Sequence, residues 1–111
     1  DYFYLLVYDT HIIRIMDAKL ITHERVVDEL GNVIELTMWE MPSPSADKPH
    51  GYKYSLVYIV DGKRIIGYDN AERKKDHRHI RGKEEPYQFV SLRKLADDFY
   101  RDVERYKRGE L

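Results

Sequence analysis

His77 and His79 stand one residue apart inside a run of cations, and that combination can do proton chemistry on a phosphodiester. Residues 67–83 hold two histidines, Tyr68, Asp69, Asn70, Asp76 and six Lys or Arg, with little that is apolar to bury. Within residues 72–83, Arg73, Lys74, Lys75, Arg78, Arg81 and Lys83 outnumber Glu72 and Asp76, whereas the whole chain has a formal charge of -1. Such a local patch on a nearly neutral protein points to an anionic ligand, above all phosphate. Metal-independent RNA cleavage needs a base for the 2′-OH proton, an acid for the leaving 5′ oxygen and fixed cations for the phosphate. Imidazole suits both proton roles because it titrates near neutrality.

In an extended backbone His77, His79 and Arg81 point one way, and Asp76, Arg78 and Ile80 the other. The expected assignment gives proton transfer to His77 and His79, and phosphate binding to Arg81 with Lys75 or Lys53. Tyr68 is expected to orient the phosphate or stack a base. Asp69 or Asp76 would hold an imidazole in its productive tautomer, and Lys53, Asp69, Asn70, Asp76 and Arg78 make up the binding set. No cofactor and no metal is assigned. Two imidazoles with Asp69 or Asp76 make only part of a zinc or manganese ligand set, and six nearby cations oppose a divalent ion. The plainer alternatives are a solvated charged loop, or a surface that grips nucleic acid or an acidic partner without catalysis. His11, His23 and His50 stand apart and are read as structural or surface residues, and Trp39 as core.

The scaffold for this segment is an α+β domain. At 111 residues the chain supports one core and one domain, with residues 1–17 as an N-terminal extension, a sheet over 18–60 and 63–90, and a helix over 91–108. An antiparallel sheet of five to six strands is expected, with one amphipathic helix packed on it. A strand is expected near residues 2–8. Residues 18–27 and 33–41 form a hairpin about Gly31-Asn32, with Ile34, Leu36 and Met38 on one face. Asp61-Gly62 is a strong hairpin signal between residues 52–60 and 63–70. A two-residue turn there would oppose Tyr58 to Ile65, Ser55 to Tyr68 and Lys53 to Asn70. That places Lys53, Ser55, Tyr68 and Asn70 on one face. Both faces of this hairpin are apolar near the turn, so cover on both sides is expected. A further strand is expected at residues 87–90. Ser91 is the N-cap of the last helix, whose Leu92, Leu95, Ala96, Phe99, Val103 and Tyr106 form its buried stripe, and Gly109 ends it.

The absence of cysteine rules out disulfides and thiolate chemistry and suits a cytoplasmic protein. The longest apolar run, residues 2–8, is far short of the ~20 residues that cross a bilayer. It also lacks the flanks of a signal peptide. The chain begins with Asp1 rather than Met, so further residues are expected upstream.

Residues 18–106 resemble the TumE-like family of small toxins from two-gene toxin–antitoxin systems. The resemblance is carried by Trp39-Glu-Met-Pro, Tyr52-Lys-Tyr-Ser-Leu-Val-Tyr and Gly67-Tyr-Asp-Asn, then by Lys75-Asp-His-Arg-His, Glu85-Pro-Tyr-Gln-Phe and Asp98-Phe-Tyr-Arg-Asp-Val. Members usually show Gly-Lys-Gly-Asp-His where this chain has Arg73-Lys-Lys-Asp-His. The resemblance implies a toxin acting on RNA and a cognate antitoxin. Together with the histidine chemistry it gives an expected function as a metal-independent endoribonuclease. Metal-dependent cleavage and nucleotidyl transfer are the enzymatic alternatives. A second copy of the chain is a further expected partner, because the sheet has a second apolar face.

Overall fold

The computed structural model describes residues 18–71 and 74–111. The strand expected near residues 2–8 lies outside them. Six strands run as an antiparallel meander, β1 (Lys19–Val27), β2 (Val33–Glu40), β3 (Tyr52–Val60), β4 (Lys63–Asp69), β5 (His77–Ile80) and β6 (Lys83–Pro86). Each pairs with its sequence neighbours in one open sheet. One helix, α1 (Leu92–Lys107), follows.

Alternation along the strands decides where α1 lies. Ile34, Leu36 and Met38 on β2, Tyr54, Leu56 and Tyr58 on β3, and Ile66 and Tyr68 on β4 all turn to one face and are buried. Leu95, Phe99 and Val103 of α1 complete that core at the three- and four-residue spacing of one helix stripe. Ser91 caps the helix by accepting from the Lys94 N–H at 3.0 Å. At the other end Gly109, at φ +75°, turns the chain so that the Gly109 and Glu110 N–H groups donate to the carbonyls of Tyr106 and Arg105. Helix and sheet form the expected α+β architecture. The expected cover on both sheet faces is not found: among the described residues no helix or strand lies on the face opposite α1. Leu20, Ile21, Val26 and Val27 on the edge strand β1 are exposed.

The tyrosine surplus has a structural use. Four hydroxyls on the helix side donate to aspartates at 2.5 to 2.6 Å: Tyr54 to Asp76, Tyr58 to Asp28, Tyr68 to Asp102 and Tyr87 to Asp98. A tyrosine ring adds apolar area to the core, while its hydroxyl needs an acceptor once water is excluded. The aspartates meet that need at the core margin.

Two sequence expectations are corrected here. The third hairpin turns at Arg81-Gly82, where both residues have positive φ, so the strand after it is Lys83–Pro86 and residues 87–90 lie outside the sheet. In the β3–β4 hairpin the expected pairing holds only beside the turn, for Val60 with Lys63 and Ile59 with Arg64. Ile65 is then an extra residue in the ladder, and Tyr58 faces Ile66, Leu56 faces Tyr68 and Ser55 faces Asp69. A one-residue bulge exchanges the two faces of the rest of the strand. Tyr68 therefore turns to the helix, and Asp69 to the open face.

Candidate active site on the open face of the sheet

The exchange at Ile65 places Asp69 beside the histidines. Asp69 pairs with His77 across β4 and β5, and Gly67 pairs with His79, so all four positions share the face opposite α1. The two imidazole rings lie edge to face with centroids 4.7 Å apart. His77 Nε2 is 2.6 Å from Asp69 Oδ1, and His79 Nε2 is 3.8 Å from Asp69 Oδ2. The third hairpin adds Glu84, opposite His79, whose Oε1 lies 3.4 Å from His77 Nε2 and 3.7 Å from His79 Nε2. Arg64 reaches along β4 to within 3.5 Å of Asp69 Oδ2, and Lys74 lies 3.8 Å from Glu84.

The two rings have different proton environments. His77 is buried, and its Nδ1 lies 2.9 Å from the carbonyl oxygen of Lys75. A carbonyl only accepts, so Nδ1 carries a hydrogen. Nε2 faces the Asp69 carboxylate, so the doubly protonated ring satisfies both contacts. His79 titrates below its ordinary value of 6.5, chiefly because burial disfavours the charged ring and next because the Arg64 guanidinium stands near it; Asp69 pulls the other way. The pair thus combines a ring whose two nitrogens both meet oxygen acceptors with a ring biased toward the neutral form. Beside His77 a hollow of about 360 Å³ opens to solvent, lined by Lys74 and Lys75 and by the carboxylates Asp76, Glu84 and Glu85.

The same donors have the composition of a metal site. Asp69, His77 and His79 bring one ligand atom each within 4.8 Å of one another, and Glu84 stands at the rim. The Lys75 carbonyl on the far nitrogen of His77 is the support that metal-bound histidines usually have. The ligand left open by sequence is thus available, and the residues fit a divalent transition metal of mixed nitrogen and oxygen coordination.

Several expected site residues lie elsewhere. Arg81 sits in the turn rather than in the strand, and its side chain crosses to the helix side, over the Tyr106 ring and onto the carbonyl oxygen of Leu111 at 2.9 Å. Tyr68 donates to Asp102, which also accepts from Arg78 Nε at 2.9 Å and Nη2 at 3.0 Å. Arg78 also contacts Glu85, so these residues bind sheet to helix on the face away from the histidines. Asn70 is buried: its Oδ1 accepts from the Tyr54 N–H, and its Nδ2 donates to the carbonyl of Tyr52. Asp76 accepts from His50 Nε2 at 2.9 Å and from Tyr54, so it orients His50 rather than His77 or His79. His50 in turn accepts the Tyr52 N–H at Nδ1, in a structural role. Lys75 contributes its carbonyl and lines the hollow, and Lys53 lies on the open face two strands from the histidines.

Arg64 and Glu84 are absent from the sequence-based set. Glu84 had a signal: a two-residue turn at Arg81-Gly82 opposes it to His79. Arg64 had none, because its approach to Asp69 follows from the bulge.

The fold and site define a small α+β domain with a histidine–carboxylate cluster on the sheet face opposite α1. Residues 9–107 match the family described as toxin TumE, and the chain belongs to that family. No curated protein and no solved structure matches the chain significantly. Among the described residues no helix is long and apolar enough to cross a membrane.

Proposed function

We propose that this toxin cleaves RNA by general acid–base catalysis at His77 and His79. The supporting observation is the edge-to-face pairing of two imidazoles 4.7 Å apart, both with Nε2 turned toward the Asp69 carboxylate. His79 takes the proton from a 2′-OH, whose oxygen attacks the adjacent phosphorus. His77 gives its Nε2 proton to the departing 5′ oxygen, approaching from the exposed Glu84 side. The products are a 2′,3′-cyclic phosphate and a free 5′-OH, and the proton balance closes when the two rings exchange states with solvent. Arg64, Lys74 and Lys75 supply positive charge around the phosphate. Asp69 keeps His77 proton-bearing and oriented.

This reading requires two partners, an RNA substrate and a cognate antitoxin that restrains the toxin, and it requires no second copy of the chain. A metal-dependent variant is favoured by one observation, the convergence of Asp69, His77 and His79. In that case the ion would supply Lewis acidity, and the same histidines would bind it rather than move protons. Incubating purified protein with single-stranded RNA, with and without excess chelator, and analysing the product ends separates the readings. Cyclic phosphate ends formed at the same rate in chelator support the acid–base reading. Loss of cleavage in chelator, restored by zinc or manganese, supports the metal reading. RNA left intact under both conditions overturns both.

A further inference from the structure

Across the open face, pairing aligns Thr37, Ser55, Asp69 and His77 on successive strands β2, β3, β4 and β5. Strands lie about 4.8 Å apart, so Ser55 is roughly 10 Å from His77 along this row. Beside the row Trp39 pairs with Lys53. Thr37, Ser55, Trp39, Lys53 and Asp69 together line a cleft of about 220 Å³. Asp69 is therefore shared between the histidine cluster and the cleft.

We propose that this cleft is a subsite for one unpaired RNA base adjoining the scissile phosphate. The inference rests on the ribonuclease reading for the identity of its ligand. Trp39 is partly exposed on the open face and offers an aromatic surface, the sequence-tolerant element of single-strand recognition. The Thr37 and Ser55 hydroxyls can each donate and accept, so they can meet the edge of a purine or a pyrimidine. Lys53 stands where the sugar–phosphate chain would leave. A phosphate held in the hollow beside His77 and a base held two strands away place the nucleotide across the strands, with its 2′-OH over Asp69 and His79. A cleft of this size takes a single base and excludes a base pair, so the substrate class is single-stranded RNA.

Trp39 is the only tryptophan in the chain, so the site carries its own reporter. Tryptophan fluorescence of the intact protein is titrated with a 2′-O-methyl dinucleotide, which cannot be cleaved, and with its abasic analogue and inorganic phosphate. Saturable quenching by the dinucleotide alone supports the subsite. Equal quenching by the abasic analogue or by phosphate, or none at all, overturns it. Quenching only by an acidic peptide of the antitoxin overturns it in favour of a protein-docking cleft. In parallel, Thr37→Val and Trp39→Ala are compared with wild type on single-stranded RNA. Losing the stacking surface is expected to lower kcat/KM about tenfold. Base-dependent quenching with no RNA cut keeps the subsite and removes the ribonuclease reading. His79-dependent cleavage without base-dependent quenching removes the subsite alone.

Discussion

His77 Nε2 lies 2.6 Å from Asp69 Oδ1, while its Nδ1 is tied to the carbonyl of the residue two before it. The carboxylate therefore faces a ring whose two nitrogens both meet oxygen acceptors. Replacing Asp69 with Asn keeps the shape and removes the charge that favours the proton-bearing ring. Asp69→Asn is expected to lower kcat/KM for RNA cleavage by about 10²-fold, the low end of a general acid's contribution. Circular dichroism should show the fold intact. Wild-type rates in this variant would mean that the proton on His77 is not used.

The depressed titration of His79 sets a pH dependence with a definite sign. A general base works when neutral, and His79 takes up its proton only below its ordinary value of 6.5. The acid limb of kcat/KM should therefore bend below pH 6.5, because that limb reports the free enzyme's base. Stability follows the same linkage: as the pH falls through 6.5 the unfolded chain gains the proton before the folded chain does. Folding should weaken over that interval and level off once the folded ring is also charged. Rate and urea-unfolding measurements from pH 5 to 8 test both.

Gly67 gives a way to perturb the site without the core. A Cβ added there would come within 2.9 Å of Arg64 Cδ and 3.3 Å of its Nε, both in a largely exposed side chain that can move. The glycine's φ is not in the left-handed region, so no backbone strain follows. Gly67→Ala should leave unfolding free energy within about 1 kcal/mol of wild type. Displacing the guanidinium from Asp69 should still reduce RNA cleavage severalfold and lessen the depression of the His79 titration.

The opposite result is expected on the helix side. Asp102 is buried and accepts from Tyr68 and twice from Arg78, so Asp102→Ala strands the Tyr68 hydroxyl and leaves the half-buried Arg78 guanidinium with Glu85 alone. Removing one partner of such a buried pair destabilises by about 3 kcal/mol. Urea unfolding should show that loss, with kcat per folded molecule unchanged, because neither group faces the histidines.

Most of the scaffold was legible because it follows from local rules. Period-two alternation in β2, Asp61-Gly62 between β3 and β4, and the capped stripe of α1 each carry a direct signal. His77 and His79 sharing a face follows from strand geometry alone. The bulge was not legible. Nothing in Lys63-Arg-Ile-Ile-Gly announces that Ile65 will be unpaired, yet it decides that Asp69, not Tyr68, joins the histidines. The basic run misled in a related way. Arg78 and Arg81 count toward a local charge but are held by Asp102 and the C-terminal segment, far away in sequence, and by Glu85 across the third hairpin. Nothing local to Asp98 and Asp102 announces the tyrosines that donate to them, which come from other parts of the chain.

The claim on which the function rests is that His79 removes a proton from RNA. The rate of cleavage of single-stranded RNA by a folded His79→Ala variant, measured beside wild type, tests it most directly. A fall of at least about 10²-fold with unchanged thermal unfolding is the expected result. Cleavage at the wild-type rate would contradict it.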